Sequence, residues 1–300
     1  MTDVEAVLSR YFGGEISAPV ALMRLLIETE DADSVRATVA AAGREHERDS
    51  PGSATHRRAR ELSQLMRANA SGVEKIAEML RAEVDSAKPA RSVEEGIAFS
   101  ERLFDWSVQQ SEEASVALCS LGNPELLKQA TSEIVSRLRQ WGLVTGNTDL
   151  LDIGCGIGRL LVALSPYVES ATGIDVSAEM VKAAERRTAG LPNVTVLKSD
   201  GRGLSGIADA TFDVAIAVDS FPYLRQSGYA LVEQFVADSA RVLRPGGELV
   251  ILNYSYSEDS GADAAEVRAL AGKNGFQVVQ VGDRPFQLWD AVAFRLRKTQ

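Results

Sequence analysis

The sequence predicts an α/β fold: a doubly wound, mostly parallel seven-stranded sheet with an antiparallel last strand, preceded by an α-helical N-terminal domain. Three observations carry that reading. From residue 148 onwards short apolar runs alternate with amphipathic helical stretches, the pattern of a parallel sheet covered on both faces. The first of these runs leads directly into a glycine-rich turn and a helix. Up to residue 88, by contrast, apolar residues recur three and four apart, as on one face of a helix.

In the first 88 residues Pro19 suits the opening turn of a helix through Val20 to Ile27, and Asp31 or Asp33 can cap the segment Ser34 to Ala42. Arg44 to Ala54, with Asp49-Ser50-Pro51-Gly52-Ser53, is turn chemistry. Leu62, Leu65, Met66, Val73, Ile76, Leu80 and Val84 then form an apolar stripe, with Gly72 expected to divide it into two helices. Lys88-Pro89-Ala90 reads as a joint. Residues 89–147 read as a helical connection carrying an aromatic cluster of Phe99, Leu103, Phe104 and Trp106. Asn123-Pro124 opens a further amphipathic helix that stops at Gly142.

Residues 148–300 supply the strands. Leu150 to Ile153 comes first, then the Gly154-Cys155-Gly156-Ile157-Gly158 turn and a helix from Arg159 to Leu164. Ala171 to Val176 is a second strand, and Ser177 is a good N-cap for a helix over Ala178 to Thr188. Val194 to Leu197, Phe212 to Val218 and Glu248 to Leu252 continue the sheet, the last entered through an Arg244-Pro245-Gly246-Gly247 turn after a helix over Val232 to Leu243. A helix over Ala264 to Asn274 follows. Phe276 to Val281 and Leu288 to Arg295 have no helix between them, so they are expected to run antiparallel.

Composition narrows the function. A net charge of −10 speaks against nucleic acid and anionic membranes as partners, since both are held mainly by clustered Lys and Arg. Two cysteines, Cys119 and Cys155, supply neither a disulfide framework nor a four-thiolate metal site, and His46 and His56 stand ten residues apart with no cysteine near; no metal is expected. The N-terminus lacks a signal pattern and no apolar run reaches the roughly 20 residues that span a bilayer. A soluble, cytoplasmic protein is the expectation.

A doubly wound sheet binds ligands at the carboxyl ends of its strands. Gly154, Gly156 and Gly158 let the backbone approach a ligand there. Asp175 lies 19 residues after Gly156, at the end of the second strand, where a carboxylate can accept hydrogen bonds from ribose hydroxyls. Arg159 stands where a dinucleotide fingerprint needs its third glycine, and no Gly-Lys-Ser/Thr follows, so neither that motif nor a P-loop is present. Asp200-Gly201 follows the third strand, where an acid can receive an adenine amino group.

Asp152-Ile153-Gly154-Cys155-Gly156-Ile157-Gly158, Gly173-Ile174-Asp175, Ser199-Asp200, Phe212-Asp213-Val214 and Arg241-Val242-Leu243-Arg244-Pro245-Gly246-Gly247 resemble, in this order, the motifs of class I (Rossmann-like) S-adenosylmethionine-dependent methyltransferases. The resemblance covers about residues 125–300. It implies S-adenosyl-L-methionine as cofactor, with Gly154, Gly156 and Gly158 under its methionine part and Asp152 in support. It further implies Asp175 at the ribose, Val176 on the adenine face and Asp200 at the adenine amino group, with Gly201 beside it. Cys155 in the loop is expected to be a small packing residue.

The acceptor side is less defined by motif. Asp219-Ser220-Phe221-Pro222-Tyr223-Leu224 departs from the Asn/Asp-Pro-Pro-Tyr/Phe motif of members that methylate amino groups in DNA or protein, and no histidine base stands nearby. Asp219 and Tyr223 are the catalytic candidates, and Asp219 could equally meet the cofactor's ammonium. Trp106, Tyr223, Tyr254 and Tyr256 are candidates for the acceptor pocket. Phe99 to Trp106 is expected to be either a lid over the acceptor or a core-facing helix. The sequence thus leads to a methyltransferase acting on an oxygen or nitrogen of a small metabolite. The alternatives are a protein or RNA methyltransferase with a helical docking domain, and a non-catalytic cofactor-binding regulator. The helices of residues 1–88 are expected to serve as lid, dimer interface or docking module.

Overall fold

The computed structural model describes residues 3–46, 52–86, 90–257 and 259–299. The expected turn at Asp49-Ser50-Pro51 and joint at Lys88-Pro89 lie outside them. The chain gathers into two compact units. A helical unit takes Met1–Ala87, Ser107–Glu133 and Phe286–Asp290; an α/β unit takes Lys88–Trp106, Ile134–Pro285 and Ala291–Gln300. The expected middle region 89–147 is therefore not one piece.

The helical unit is built on α1 (Asp3–Gly13), α2 (Ala18–Thr29), α3 (Ala32–His46), α4 (Ala54–Ala68) and α5 (Ala70–Ser86). Pro19 sits in the first turn of α2 as expected, and of the two expected caps Asp31 is the one used: its Oδ2 accepts the Ser34 N–H at 2.8 Å. The apolar stripe breaks at Asn69, not at Gly72. Gly72 lies inside α5 for a different reason: a Cβ there would fall 1.9 Å from the Leu121 carbonyl oxygen. Asn69 ties the same neighbourhood together, since its Oδ1 accepts from Asn123 Nδ2 at 2.8 Å. The Phe286–Asp290 stretch completes the unit. Asp290 receives the Arg24 guanidinium at 2.5 Å, Trp289 is buried, and the Gln287 and Leu288 N–H groups donate to Glu133.

Two helices change unit along their length, α6 (Val93–Gln110) after Trp106 and α8 (Pro124–Gln140) after Glu133. Between them lies the short α7 (Glu112–Val116).

The α/β unit holds, among the described residues, one sheet of seven strands: β1 (Asp149–Ile153), β2 (Ser170–Asp175), β3 (Val194–Lys198), β4 (Phe212–Val218), β5 (Leu243–Leu252), β6 (Phe276–Asp283) and β7 (Ala293–Lys298). Their order is β3-β2-β1-β4-β5-β7-β6, and β7 alone runs against its neighbours β5 and β6. The switch in order lies between β1 and β4, where a doubly wound sheet opens its ligand crevice. The connecting helices are α9 (Arg159–Leu164), α10 (Ala178–Thr188), α11 (Phe221–Ser227), α12 (Tyr229–Val242) and α13 (Ser260–Lys273). Leu151, Ile153, Ala215, Leu249 and Ile251 pack with Val232, Phe235, Val236 and Leu270 in one core.

The last strand starts later than the sequence suggests, at Ala293 rather than Leu288. Residues 286–290 belong to the helical unit, and starting at Ala293 sets Arg297 opposite Glu248 across the β5–β7 pair. Glu248, 3% exposed in its side chain, then takes Arg295 at 2.9 Å and Arg297 at 2.6 Å. Arg295 also lies over the Trp141 ring, 4.9 Å from its centroid.

Removing one member of such a buried charge group leaves the others uncompensated, which costs about 3–5 kcal/mol. Glu248→Ala is therefore expected to lower unfolding free energy by about that amount in urea titration. Gly72→Ala is expected to lower the melting temperature because its new methyl meets a backbone carbonyl; an unchanged Tm would refute the close approach of α5 to Leu121.

Candidate active site

The glycine loop begins where β1 ends. Gly154, Gly156 and Gly158 have φ values of 76°, 54° and 74°, in the left-handed region that L side chains rarely adopt. Space forbids a side chain as well: a Cβ on Gly154 would lie 2.6 Å from that of Ser220, and one on Gly158 3.0 Å from that of Ala184. Asp175 ties the loop to the end of β2, accepting the Gly156 N–H on one carboxylate oxygen and the Ser177 N–H on the other, each at 2.8 Å. Burial raises the Asp175 pKa, and these two N–H groups pull against it. Cys155 is buried, with its thiol pushed well above the usual range by desolvation, which suits packing and not nucleophilic attack.

Beneath the loop lies an uncompensated acid. Asp152 is 1% exposed, and neither carboxylate oxygen has a hydrogen-bond partner; the buried Ser220 Oγ lacks one too. Desolvation raises the Asp152 pKa to about 7, with Arg159 pulling it down and Asp175 pushing it up. Buried acceptors without donors are costly, so this end of the site fits a ligand that brings a cation with N–H groups.

On the other side of β2, Val176 and Gly201 stand with Ile97 from α6. A Cβ on Gly201 would meet Ile97 at 2.8 Å and Val176 at 3.0 Å. Asp200 is exposed, with Oδ1 accepting the Arg202 N–H at 2.9 Å. The first part of α6 crosses these strand ends. Asp105 accepts from Ser177 Oγ at 2.6 Å and from the Glu179 N–H at 3.1 Å, Glu101 pairs with Lys198, and Glu94 pairs with Arg202. Gly96 packs on Ser227, where a Cβ would come within 2.5 Å. Residues 94, 97, 101 and 105 fall three or four apart, one stripe of the helix. The whole of Phe99 to Trp106 thus lies within one continuous helix whose stripe faces the strand ends.

Asp219 and Asn253 follow β4 and β5. Both have left-handed backbones, with φ of 59° and 64°, a conformation costing about 1–3 kcal/mol in a residue other than glycine. Asn253 Nδ2 donates to Asp219 Oδ1 at 2.7 Å, and the Tyr256 hydroxyl reaches the same oxygen at 3.4 Å. Tyr223 stands against Tyr256 and Phe104, with ring centroids 6.0 Å and 4.7 Å apart. Asp219, Tyr223 and Tyr256 therefore come together as the sequence suggested, and Trp106 lies half-buried on α6. Tyr254 does not join them. It is 1% exposed, its ring packs between Phe221 and Phe294, and it belongs to the core. Alternation along the chain after β5 turns Tyr254 inward and leaves Tyr256 outward.

Sequence reasoning missed Ser220, Asn253, Ile97 and Asp105. Ser220 and Asn253 each follow the last residue of a strand by one or two positions, which was the available signal. Nothing in the sequence joins Ile97 or Asp105 to strand ends some eighty residues away.

A sheet of this order, with a glycine loop after β1 and an acid closing β2, defines a class I, Rossmann-like methyltransferase fold. Residues 151–251 match the family model described as a methyltransferase domain. The chain is 32% identical over 149 residues to the 2-methyl-6-phytyl-1,4-hydroquinone methyltransferase of Synechocystis, covering 46% of this chain and 44% of that protein. It is 37% identical over 125 residues to the phosphatidylethanolamine N-methyltransferase of Cereibacter sphaeroides, covering 41% and 58%. The chain thus spans about half the length of these curated relatives. Among solved structures, magnesium protoporphyrin IX methyltransferase from Synechocystis with bound S-adenosylmethionine superposes with a TM-score of 0.51 at 16% identity, over 71% of this chain and all of that one. The Haemonchus contortus phosphoethanolamine N-methyltransferase 1 superposes with a TM-score of 0.54 at 14% identity, over 69% and 50%. No described helix is long and apolar enough to cross a membrane.

The unpartnered oxygens of Asp152 and Ser220 fit a group that brings a cation with N–H donors to this end of the site. Arg159 and Asp175 are the charged groups that also act on Asp152. With a pKa near 7, Asp152 must shed its proton to receive a cation. Affinity for S-adenosylhomocysteine, which carries an α-ammonium, is therefore expected to rise by about tenfold per pH unit from pH 5 towards 7 and then level off. Asp152→Asn is expected to flatten this profile in calorimetry. It is also expected to raise the stability of the ligand-free protein at pH 8, because an acid whose folded pKa is raised costs stability once it ionises.

Proposed function

We propose that the chain transfers the methyl group of S-adenosylmethionine to a nitrogen or oxygen of a small-molecule acceptor. The observation that carries this reading is the unpartnered Asp152 carboxylate beneath a glycine loop that admits no side chain. Asp152 and Ser220 receive the cofactor's ammonium, and Asp175 keeps lone pairs for the ribose hydroxyls while holding the loop. Val176, Gly201 and Ile97 flank the adenine, with Asp200 at its amino group.

When bound, the cofactor supplies a methyl group already activated on a sulfonium. What remains for the protein is to hold the acceptor in line with it, and good orientation contributes roughly 7–11 kcal/mol in favourable cases. Asp219 takes up a proton from an acceptor that must lose one, held in place by Asn253. Tyr223, Tyr256 and Trp106 flank the acceptor. The printed functions of the relatives, a hydroquinone and a phosphatidylethanolamine methyltransferase, support a small or lipid-like acceptor over a macromolecular one.

Calorimetry is expected to show S-adenosylmethionine and S-adenosylhomocysteine binding and NAD not binding. Asp175→Ala is expected to weaken both by about 1.5–3 kcal/mol, the scale of a hydrogen bond to a charged group. Incubating the protein with isotopically labelled donor and a metabolite extract, with mass spectrometry of the products, then identifies the acceptor. Trp106→Ala is expected to keep cofactor affinity within about tenfold and to lower turnover much further; cofactor affinity lost together with turnover would assign Trp106 to the donor side.

A further inference from the structure

We infer that the acceptor arrives as an organic ammonium, received by Asp219 against the ring wall of Phe104, Tyr223 and Tyr256. This deepens the methyl-transfer reading and rests on it.

Position comes first. Asp219 directly follows β4 and precedes Ser220, whose side chain touches the glycine loop, and its carboxylate meets Asn253 and Tyr256 beyond the end of β5. Its geometry is built at a cost: Asp219 and its hydrogen-bond donor Asn253 both hold left-handed backbones, and Asn253 Oδ1 is itself fixed by the Val292 N–H at 3.0 Å. Paired strain of this kind persists where surrounding structure over-determines it, as at a ligand clamp.

The rings supply the second argument. Tyr223 and Tyr256 meet at 86°, and Phe104 and Tyr223 at 72°, so the three present faces in different directions instead of forming one stack. Tyr256 is 54% exposed although its hydroxyl reaches Asp219, an arrangement that leaves a large aromatic surface beside a carboxylate. Ring faces attract cations, and an ammonium can meet rings and carboxylate together.

Charge gives the third. From Tyr256 to Arg268 the chain carries Glu258, Asp259, Asp263 and Glu266 against one base, Arg268. Asp263 is taken by the Ser255 hydroxyl and Glu266 by Arg225, yet the segment remains acidic in sum. An anionic acceptor would be repelled by the Asp219 carboxylate, and a neutral phenol would gain less from that charge than an ammonium does.

The chemistry balances. A primary ammonium gives one proton to the Asp219 carboxylate. The freed nitrogen lone pair forms the N–C bond as the methyl–sulfur bond breaks with its electron pair left on sulfur, and the product departs as the methylated ammonium.

Choline, which carries a quaternary ammonium, and its neutral isostere 3,3-dimethyl-1-butanol test the site without turnover. With the protein saturated by S-adenosylhomocysteine, calorimetry is expected to show choline binding about tenfold or more tighter than the isostere. Tyr256→Leu and Asp219→Asn are each expected to weaken choline by about fivefold or more, with S-adenosylhomocysteine affinity as the control. Tyr256→Leu alters an exposed ring, which keeps the comparison on a folded protein. Equal affinity for the two compounds, no choline binding, or choline affinity indifferent to both substitutions would overturn the ammonium inference. Failure of S-adenosylhomocysteine itself to bind the unaltered protein would instead overturn the methyl-transfer reading.

Discussion

The carboxylate of Asp175 is the constraint on which the site rests. A chain leaving β1 must turn through three left-handed positions before it can start α9; Gly154 and Cys155 give their N–H groups to the Ile174 carbonyl of β2, and the Gly156 N–H is left for a side chain. Asp175 collects one from this loop and one from its own turn into α10. Two strand-to-helix turns thereby become one rigid edge. Charge–charge repulsion with Asp152 is part of the same design: two acids held close in a dry place make a cation the natural completion of the structure.

The α6 helix extends that edge. Its carboxylates reach the ends of β2 and β3, while Phe104, on a neighbouring face, meets Tyr223 after β4. One helix therefore borders the strand ends on both sides of the switch between β1 and β4. Asp105 is the strongest of these links, because it caps α10 from outside by accepting Ser177 Oγ and the Glu179 N–H. The exposed pairs Glu101–Lys198 and Glu94–Arg202 contribute little by comparison, as screened surface pairs do.

The strands and their order were legible because buried parallel strands are short apolar runs separated by helical spacing, and the glycine loop was legible because its backbone tolerates only glycine. What escaped reading depended on partners remote in sequence. The pattern at Leu288 to Arg295 is strand-like, but Trp289 is buried against Phe286 and Asp290 is taken by Arg24 of α2, and only the part from Ala293 joins the sheet. Tyr254 and Tyr256 looked equivalent until the backbone after β5 fixed which one faces the core. Gly72 was a helix breaker by propensity alone; the approach of Leu121 gives it another purpose. In the site, the cofactor half was visible in local motifs, whereas Asn253, Ile97 and Asp105 act across the fold and carry no local signature.

The helical unit is assembled from three stretches, and the last, Phe286–Asp290, is translated about two hundred residues after the first ends at Ala87. At about 5–20 residues per second, roughly 10–40 s pass on the ribosome before Arg24 can find Asp290 and Trp289 can be buried. The α/β unit is under a similar delay, since β7 lies between β5 and β6 and emerges after both. Neither half can finish early and wait for the other. Each unit closes only once these late stretches have been made.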